Sequence, residues 1–245
     1  MELIKNNGPL NFIGTGSAFN YHLGNNSAYI KRNSSMLLID CGGTVFHSLV
    51  KSNLLQDISS LYVAVTHMHP DHIGSLGDII FYTYYSLQFK TRLIYPDLPS
   101  LKALLDAMGV TEDFYEFLPI NNISGVKVND ITVKYLVQNH TDTLKSFAYI
   151  LELDNRKIYY SGDAKTIPDT ILQQLYSNEI DYLYQDTCSY EGNDIPHLSL
   201  NKLSQSIPTD LRHKVYCMHL DEAFDIKEAQ SLGFKIAVNC PNTGL

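Results

Sequence analysis

The heptapeptide T-H-M-H-P-D-H at 66–72 places three imidazoles and one carboxylate, His67, His69, Asp71 and His72, within six residues. Burying such a cluster idle would be costly, because every ring nitrogen and carboxylate oxygen needs a partner of its own. A divalent metal ion satisfies several of them at once. His67 and His69, two apart on an extended turn, can point to one side and hold one ion, whereas the adjacent pair Asp71 and His72 points elsewhere and suits a second. Imidazole and carboxylate without thiolate fit zinc, with manganese or iron as alternatives. The bland reading is a surface turn rich in histidine, for which this spacing has no purpose.

Such a cluster needs a scaffold. It closes the apolar, β-branched run at 61–66 and precedes I-G-S-L-G-D at 73–78, so it reads as the turn from a buried strand into a helix. Loops on a rigid frame are where α/β proteins carry chemistry. Further strands are expected at 10–13, 26–30, 36–40, 92–95, 126–128, 131–137, 147–153, 157–161, 180–187, 214–218 and 235–238. Helices are expected from near Thr44 and over 77–89, 98–108, 169–176 and 225–232. The aromatic segment 77–89 reads as core packing, although its tyrosines also suit a dimer face.

Composition bounds the answer. A chain of 245 residues, 44% hydrophobic and 18% charged, is an ordinary globular balance with a sizeable core. It shows no low-complexity linker, so one domain over 1–245 is expected. The first residues hold no apolar core of signal-peptide length and no segment approaches a membrane span, which makes the cytoplasm the expected location. Cys41, Cys188, Cys217 and Cys240 are scattered without a C-x-x-C pair and fit reduced thiols. The net charge of −8, with no basic cluster beyond pairs such as Lys31-Arg32, lacks the stripe with which proteins grip many phosphates of a polynucleotide.

The spacing H-x-H-x-D-H at His67, His69, Asp71 and His72 resembles the metallo-β-lactamase superfamily, and the likeness can be followed along nearly the whole chain. The glycine loop in F-I-G-T-G-S-A at 12–18 lacks a P-loop lysine and a dinucleotide fingerprint, so alone it says little. In context it resembles the opening of the ribonuclease Z branch, and L-I-D-C-G-G-T at 38–44 resembles that branch's next landmark. The resemblance implies a mixed α/β (α+β) four-layer αββα sandwich, which the two runs of strands with flanking helices also support. It implies His67, His69 and His140 on a first metal, Asp71, His72 and His219 on a second, and Asp163 bridging both. Asp163 has a second reading as a helix N-cap. Asp40 reads either as the partner that orients a ligand histidine or as a turn or capping residue. H-L-S-L at 197–200, opening a helix to about Ser206, partly resembles the H-S-T element, with Leu198 and Ser199 where the family has Ser and Thr. It implies that His197 acts on the scissile phosphate; a capping contact is the other reading. His22, His47 and His213 match no motif position.

Chemistry follows from the resemblance. Two ions so held suit in-line hydrolysis of a phosphodiester, with Asp71 and Asp163 orienting the water and His197 serving the leaving oxygen. Histidine after Asp71, and aspartate rather than cysteine at the later ligand, argue against a β-lactamase, and glyoxalase-type enzymes lack the G-T-G-S-A opening. Members that process transfer RNA carry a long arm between the third imidazole and the bridging aspartate, whereas His140 and Asp163 are only 23 positions apart. That leaves room for one hairpin. In length, missing arm, acidic balance and composition the chain resembles most the phage anti-Pycsar family. This implies hydrolysis of 3′,5′-cyclic CMP, UMP, AMP and GMP to nucleoside 5′-monophosphates, with two zinc ions per subunit and manganese as the alternative. It also implies a homodimer in which a partner loop helps close each pocket, and a setting in a host cytoplasm where such signals serve antiviral defence. A ribonuclease Z-type tRNA 3′-processing endonuclease is the alternative.

Overall fold

The computed structural model describes residues 8–192 and 194–240. They divide into two compact units, one running up to Asn121 and resuming at Val238, the other spanning Asn122–Ala237. Each has its own sheet.

In the first unit six strands lie side by side in chain order: β1 (Asn11–Gly14), β2 (Ser27–Arg32), β3 (Ser35–Ile39), β4 (Ser60–Ala64), β5 (Thr91–Ile94) and β6 (Tyr115–Phe117). β1 to β3 pair antiparallel, and β3 to β6 pair parallel. Parallel neighbours need a crossover, supplied by α1 (Val45–Lys51), by α2 (Pro70–Ile73) with α3 (Leu76–Tyr85), and by α4 (Leu98–Ala107). This explains why β3 reads as a solid apolar run rather than alternating: all five of its residues are buried. β6 was not among the expected strands, since three residues at a sheet edge leave no periodicity to read.

The second sheet is ordered β7 (Val126–Val128), β8 (Ile131–Gln138), β9 (Ser146–Leu153), β10 (Arg156–Tyr160), β11 (Tyr182–Cys188), then, with β12 (Leu198–Ser199) set beside β11, β13 (Val215–Met218) and β14 (Lys235–Ile236). β7 to β10 form an antiparallel meander, in which Asp154 and Asn155, both at positive φ, make the tight β9–β10 turn. From β10 onward the pairing is parallel through α5 (Asp169–Tyr176), α6 (Leu200–Ser206) and α7 (Ile226–Ser231). Because β8 and β10 both oppose β9, β8 runs the same way as β10, β11 and β13. Four strands therefore deliver their carboxyl ends to one edge of this sheet.

Two local expectations change. The helix expected to open at His197 begins at Leu200, because Ser199 stays extended and caps it, its Oγ accepting the Lys202 N–H at 3.2 Å. His197 therefore precedes β12 and caps nothing. Pro168 occupies the N-cap of α5, so Asp163 does not serve as that cap either. Of α3, Ile79 and Ile80 are buried as core, while Phe81, Tyr84 and Tyr85 gather around Phe114 with Tyr85 largely exposed. The cysteines are free thiols, and burial pushes those of Cys41 and Cys217 up to about 12. Among the described residues no helix is long and apolar enough to cross a membrane.

Candidate metal centre

In the first unit, the proline of the motif decides where its side chains go. His69 stays extended at the N-cap of α2 and Pro70 takes the first helical position, for which its fixed φ is suited. His67 and His69 therefore lie on extended chain, and Asp71 and His72 on the first helical turn. His67 Nε2 and His69 Nδ1 are 3.0 Å apart, with the rings nearly perpendicular. Two imidazoles on one tetrahedral zinc, with bonds of about 2.0–2.1 Å, would bring their nitrogens to roughly 3.3 Å. The pair could hold one ion between them. His72 Nε2 and Asp71 Oδ2, 3.3 Å apart, form a second pair.

Asp40 organises this cluster from beneath. The last residue of β3 is Ile39, and Asp40 follows it at φ +64° with its side chain fully buried. Its carboxylate accepts the Thr66 backbone N–H at 2.7 Å, the Thr66 hydroxyl at 2.8 Å and His72 Nδ1–H at 2.8 Å. Thr66 Oγ1, having given its proton to Asp40, can only accept from His67 Nδ1 at 3.0 Å. One carboxylate thus fixes two tautomers, leaving the Nε2 lone pairs of both His67 and His72 for a ligand bond. Burial pushes the Asp40 carboxyl above its ordinary range, opposed by His72 and Thr66. Gly42 completes the fit, since a Cβ there would strike the Asp71 backbone carbonyl.

We expect Asp40→Asn to weaken binding of a divalent metal about 10- to 100-fold, the usual cost of losing a carboxylate behind a metal-binding histidine. Asparagine tolerates the same positive φ, so the turn itself should survive. Competition titration against a chromophoric chelator measures the change. Unaltered affinity would mean that Asp40 does not set the imidazoles.

In the second unit, His140 follows β8, Asp163 follows β10 and His219 follows β13, the carboxyl-end positions at which parallel α/β sheets bind ligands. All three are about 2% exposed. Asp163 lies between two rings, its Oδ1 at 3.4 Å from His219 Nε2 and its Oδ2 at 3.7 Å from His140 Nε2. His140 Nδ1 donates to the Pro196 carbonyl at 3.0 Å, which leaves Nε2 as the lone-pair nitrogen. Burial lowers the pKa of His140 against the pull of Asp163, favouring the neutral ring that a metal requires. His219 sits at φ +58°, a conformation rare outside glycine and a mark of a site held by its surroundings.

Asp186, on β11, is the residue the sequence analysis missed. Its Oδ2 lies 2.6 Å from His197 Nδ1 and accepts the Ala164 N–H at 2.9 Å, and its Oδ1 lies 3.3 Å from His219 Nδ1. Burial pulls the His197 imidazole down, but the attraction and hydrogen bond of Asp186 outweigh it and hold the ring above its ordinary value. The one signal available was an acid embedded in a buried strand, Q-D-T at 185–187. One candidate ligand atom from each of Asp163, Asp186, His197 and His219 lies within 4.8 Å of the others. His22, His47 and His213 are exposed and stand outside both clusters.

The donor set of both units, buried imidazoles with carboxylates and no thiolate, fits a divalent ion. A family model described as anti-Pycsar protein Apyc1 matches residues 9–239. An anti-Pycsar protein Apyc1 from Paenibacillus harenae is 27% identical over 227 residues, covering 88% of this chain and 91% of its own. Another, from Bacillus phage BSP38, is 29% identical over 231 residues, covering 86% and 88%. The metallo-β-lactamase fold protein YhfI from Bacillus subtilis superposes with a TM-score of 0.73 at 16% identity, over 96% of this chain and 97% of that one. Identity so low speaks only for the fold, and the fold is the one that the H-x-H-x-D-H spacing implied. The match from residue 9 to 239 settles the family: the chain is a metal-dependent hydrolase belonging to the anti-Pycsar protein Apyc1 family.

Proposed function

We propose that this protein hydrolyses 3′,5′-cyclic mononucleotides, cyclic CMP, UMP, AMP and GMP, to nucleoside 5′-monophosphates, and so removes a cyclic-nucleotide signal of host antiviral defence. The observation that carries the choice of substrate is the segment between His140 and Asp163, which contains only β9 and β10, a single hairpin. Without an arm, and with a net charge of −8, the chain is poorly equipped to hold a transfer RNA. A small cyclic diester needs neither device.

In this reading His67, His69 and His140 would hold one ion and Asp71, His72 and His219 a second, with Asp163 serving both. Zinc is the expected metal and manganese the alternative. Metal bound there would supply an activated water, its pKa lowered towards 7, and charge stabilisation for the attacking and leaving oxygens. Asp71 and Asp163 accept hydrogen bonds from the water and aim it at phosphorus. His197, its Nδ1 proton held by Asp186, presents Nε2–H to the leaving oxygen. The family likeness also supports a homodimer whose partner loop helps close each pocket, acting in the cytoplasm of a host cell.

Metal-loaded protein incubated with the four cyclic nucleotides, and in parallel with a precursor tRNA, tests this by chromatography of the products. Nucleoside 5′-monophosphates should accumulate while the tRNA stays intact. Cleaved tRNA alongside surviving cyclic nucleotides would overturn the proposal in favour of a tRNA 3′-processing endonuclease.

A further inference from the structure

A cavity of about 760 Å³ opens in the second unit beside His197, within the size range of small-molecule sites. Lys165 and Lys202 line it together with a single acid, Asp169, and Leu172 and Ile195 give it apolar wall. Two cations to one anion is a local positive balance in a chain whose net charge is −8. The cavity also shares its loops with candidate ligands. The Lys165 backbone N–H donates to the Asn139 carbonyl at 2.8 Å, tying the segment after Asp163 to the residue before His140. Lys202 Nζ donates one proton to the Gly192 carbonyl at 2.5 Å, and an ammonium has two more to give.

Resting on the cyclic-nucleotide reading above, we propose that this cavity takes the nucleobase of the substrate and that Lys165 and Lys202 read carbonyl oxygens on its edge. The position follows from the chemistry. Water adds its oxygen to phosphorus, the P–O3′ bond breaks, and O3′ leaves on the ribose with a proton from His197. The ribose and base therefore lie on the His197 side of the phosphorus, where the cavity opens. Specificity follows from the donors, because an ammonium donates and never accepts. Uracil and guanine present a carbonyl oxygen where cytosine and adenine present an amino group, and an amino group facing an ammonium repels it. Apolar walls cover the faces of any base alike and do not discriminate.

The test compares kcat/KM for all four cyclic nucleotides in the wild type, Lys165→Met and Lys202→Met, each normalised to methyl p-nitrophenyl phosphate, a diester without a base. Cyclic UMP should exceed cyclic CMP, and cyclic GMP exceed cyclic AMP, by roughly tenfold, the worth of one charge-assisted hydrogen bond. The preference should reside in KM and fall towards unity in the lysine variants. A parallel titration of the metal-loaded protein with uridine and cytidine, which carry no phosphate to hydrolyse, followed by NMR, should show the same order in the wild type and its loss in Lys165→Met. Equal ratios in the wild type, or a preference that survives both substitutions, would overturn the assignment. If no cyclic nucleotide is hydrolysed, the catalytic reading fails while the nucleoside titration still decides the cavity.

Discussion

Asp163→Asn should strip the protein of bound metal and lower hydrolysis of the proposed cyclic-nucleotide substrate by on the order of a thousandfold or more, since the loss of transition-state charge stabilisation amounts to several kcal/mol. The substitution is nearly isosteric, so shape is kept and chemistry is lost. Asp163 turns one carboxylate oxygen to the His219 ring and the other to the His140 ring. An amide can offer only one oxygen; its other end is an NH₂ donor that no cation accepts. It also removes the one negative charge set between those two buried imidazoles, where charge counts most because water is excluded. Metal content per chain after dialysis, read beside kcat/KM and a circular dichroism spectrum, separates loss of the ions from loss of the fold. A variant that keeps its ions and works within tenfold of the wild type would remove Asp163 from the site.

The residues on which that prediction rests were legible because their pattern carries the chemistry. T-H-M-H-P-D-H announces its ligands by spacing and its geometry by Pro70, which divides the motif between extended chain and helix. His140, Asp163 and His219 were legible only through the family resemblance, which places ligands at three later strand ends, and the second sheet does bring those strand ends to one edge. What stayed hidden was the support. Asp186 lies within a strand, with nothing in its neighbours to show that β11 aims it at His197 and His219. Thr66 as the link between Asp40 and His67 depends on which hydroxyl proton goes where, and that is decided only in three dimensions. The positive φ of Asp40 and His219 was equally silent, because neither residue type demands it. Strand and helix limits moved by one to four residues, as at α6, where a serine hydroxyl competing for backbone donors sets the boundary. Long-range partners, caps and strain are properties of the fold that no short window of sequence contains.

Asp186→Asn should lower kcat about a hundredfold, at the lower end of what a positioned general acid contributes, and its signature should be a displaced pH profile. In the proposed reaction His197 gives its proton to the leaving oxygen, and for that it must be protonated. Its activity is therefore present below its folded pKa and is lost as the pH rises through that value. In the wild type burial pulls this pKa down, and Asp186 more than compensates, so the ring stays charged above its ordinary range. Asparagine keeps a carbonyl oxygen for the Ala164 N–H but brings no charge, so burial then prevails and the alkaline limb should move to lower pH. A residue that merely braced the strand would lower the rate at every pH and leave the limb in place. Because Asp186 also lies 3.3 Å from His219 Nδ1, the profile has to be recorded at saturating metal, where weakened binding of the ion cannot imitate a lost proton. If Asp186 acts through His197, adding Asp186→Asn to His197→Ala should cost little more than His197→Ala alone, since residues acting as a unit are not additive. Additive losses with an unmoved limb would show instead that Asp186 works through His219, on the metal rather than on the proton.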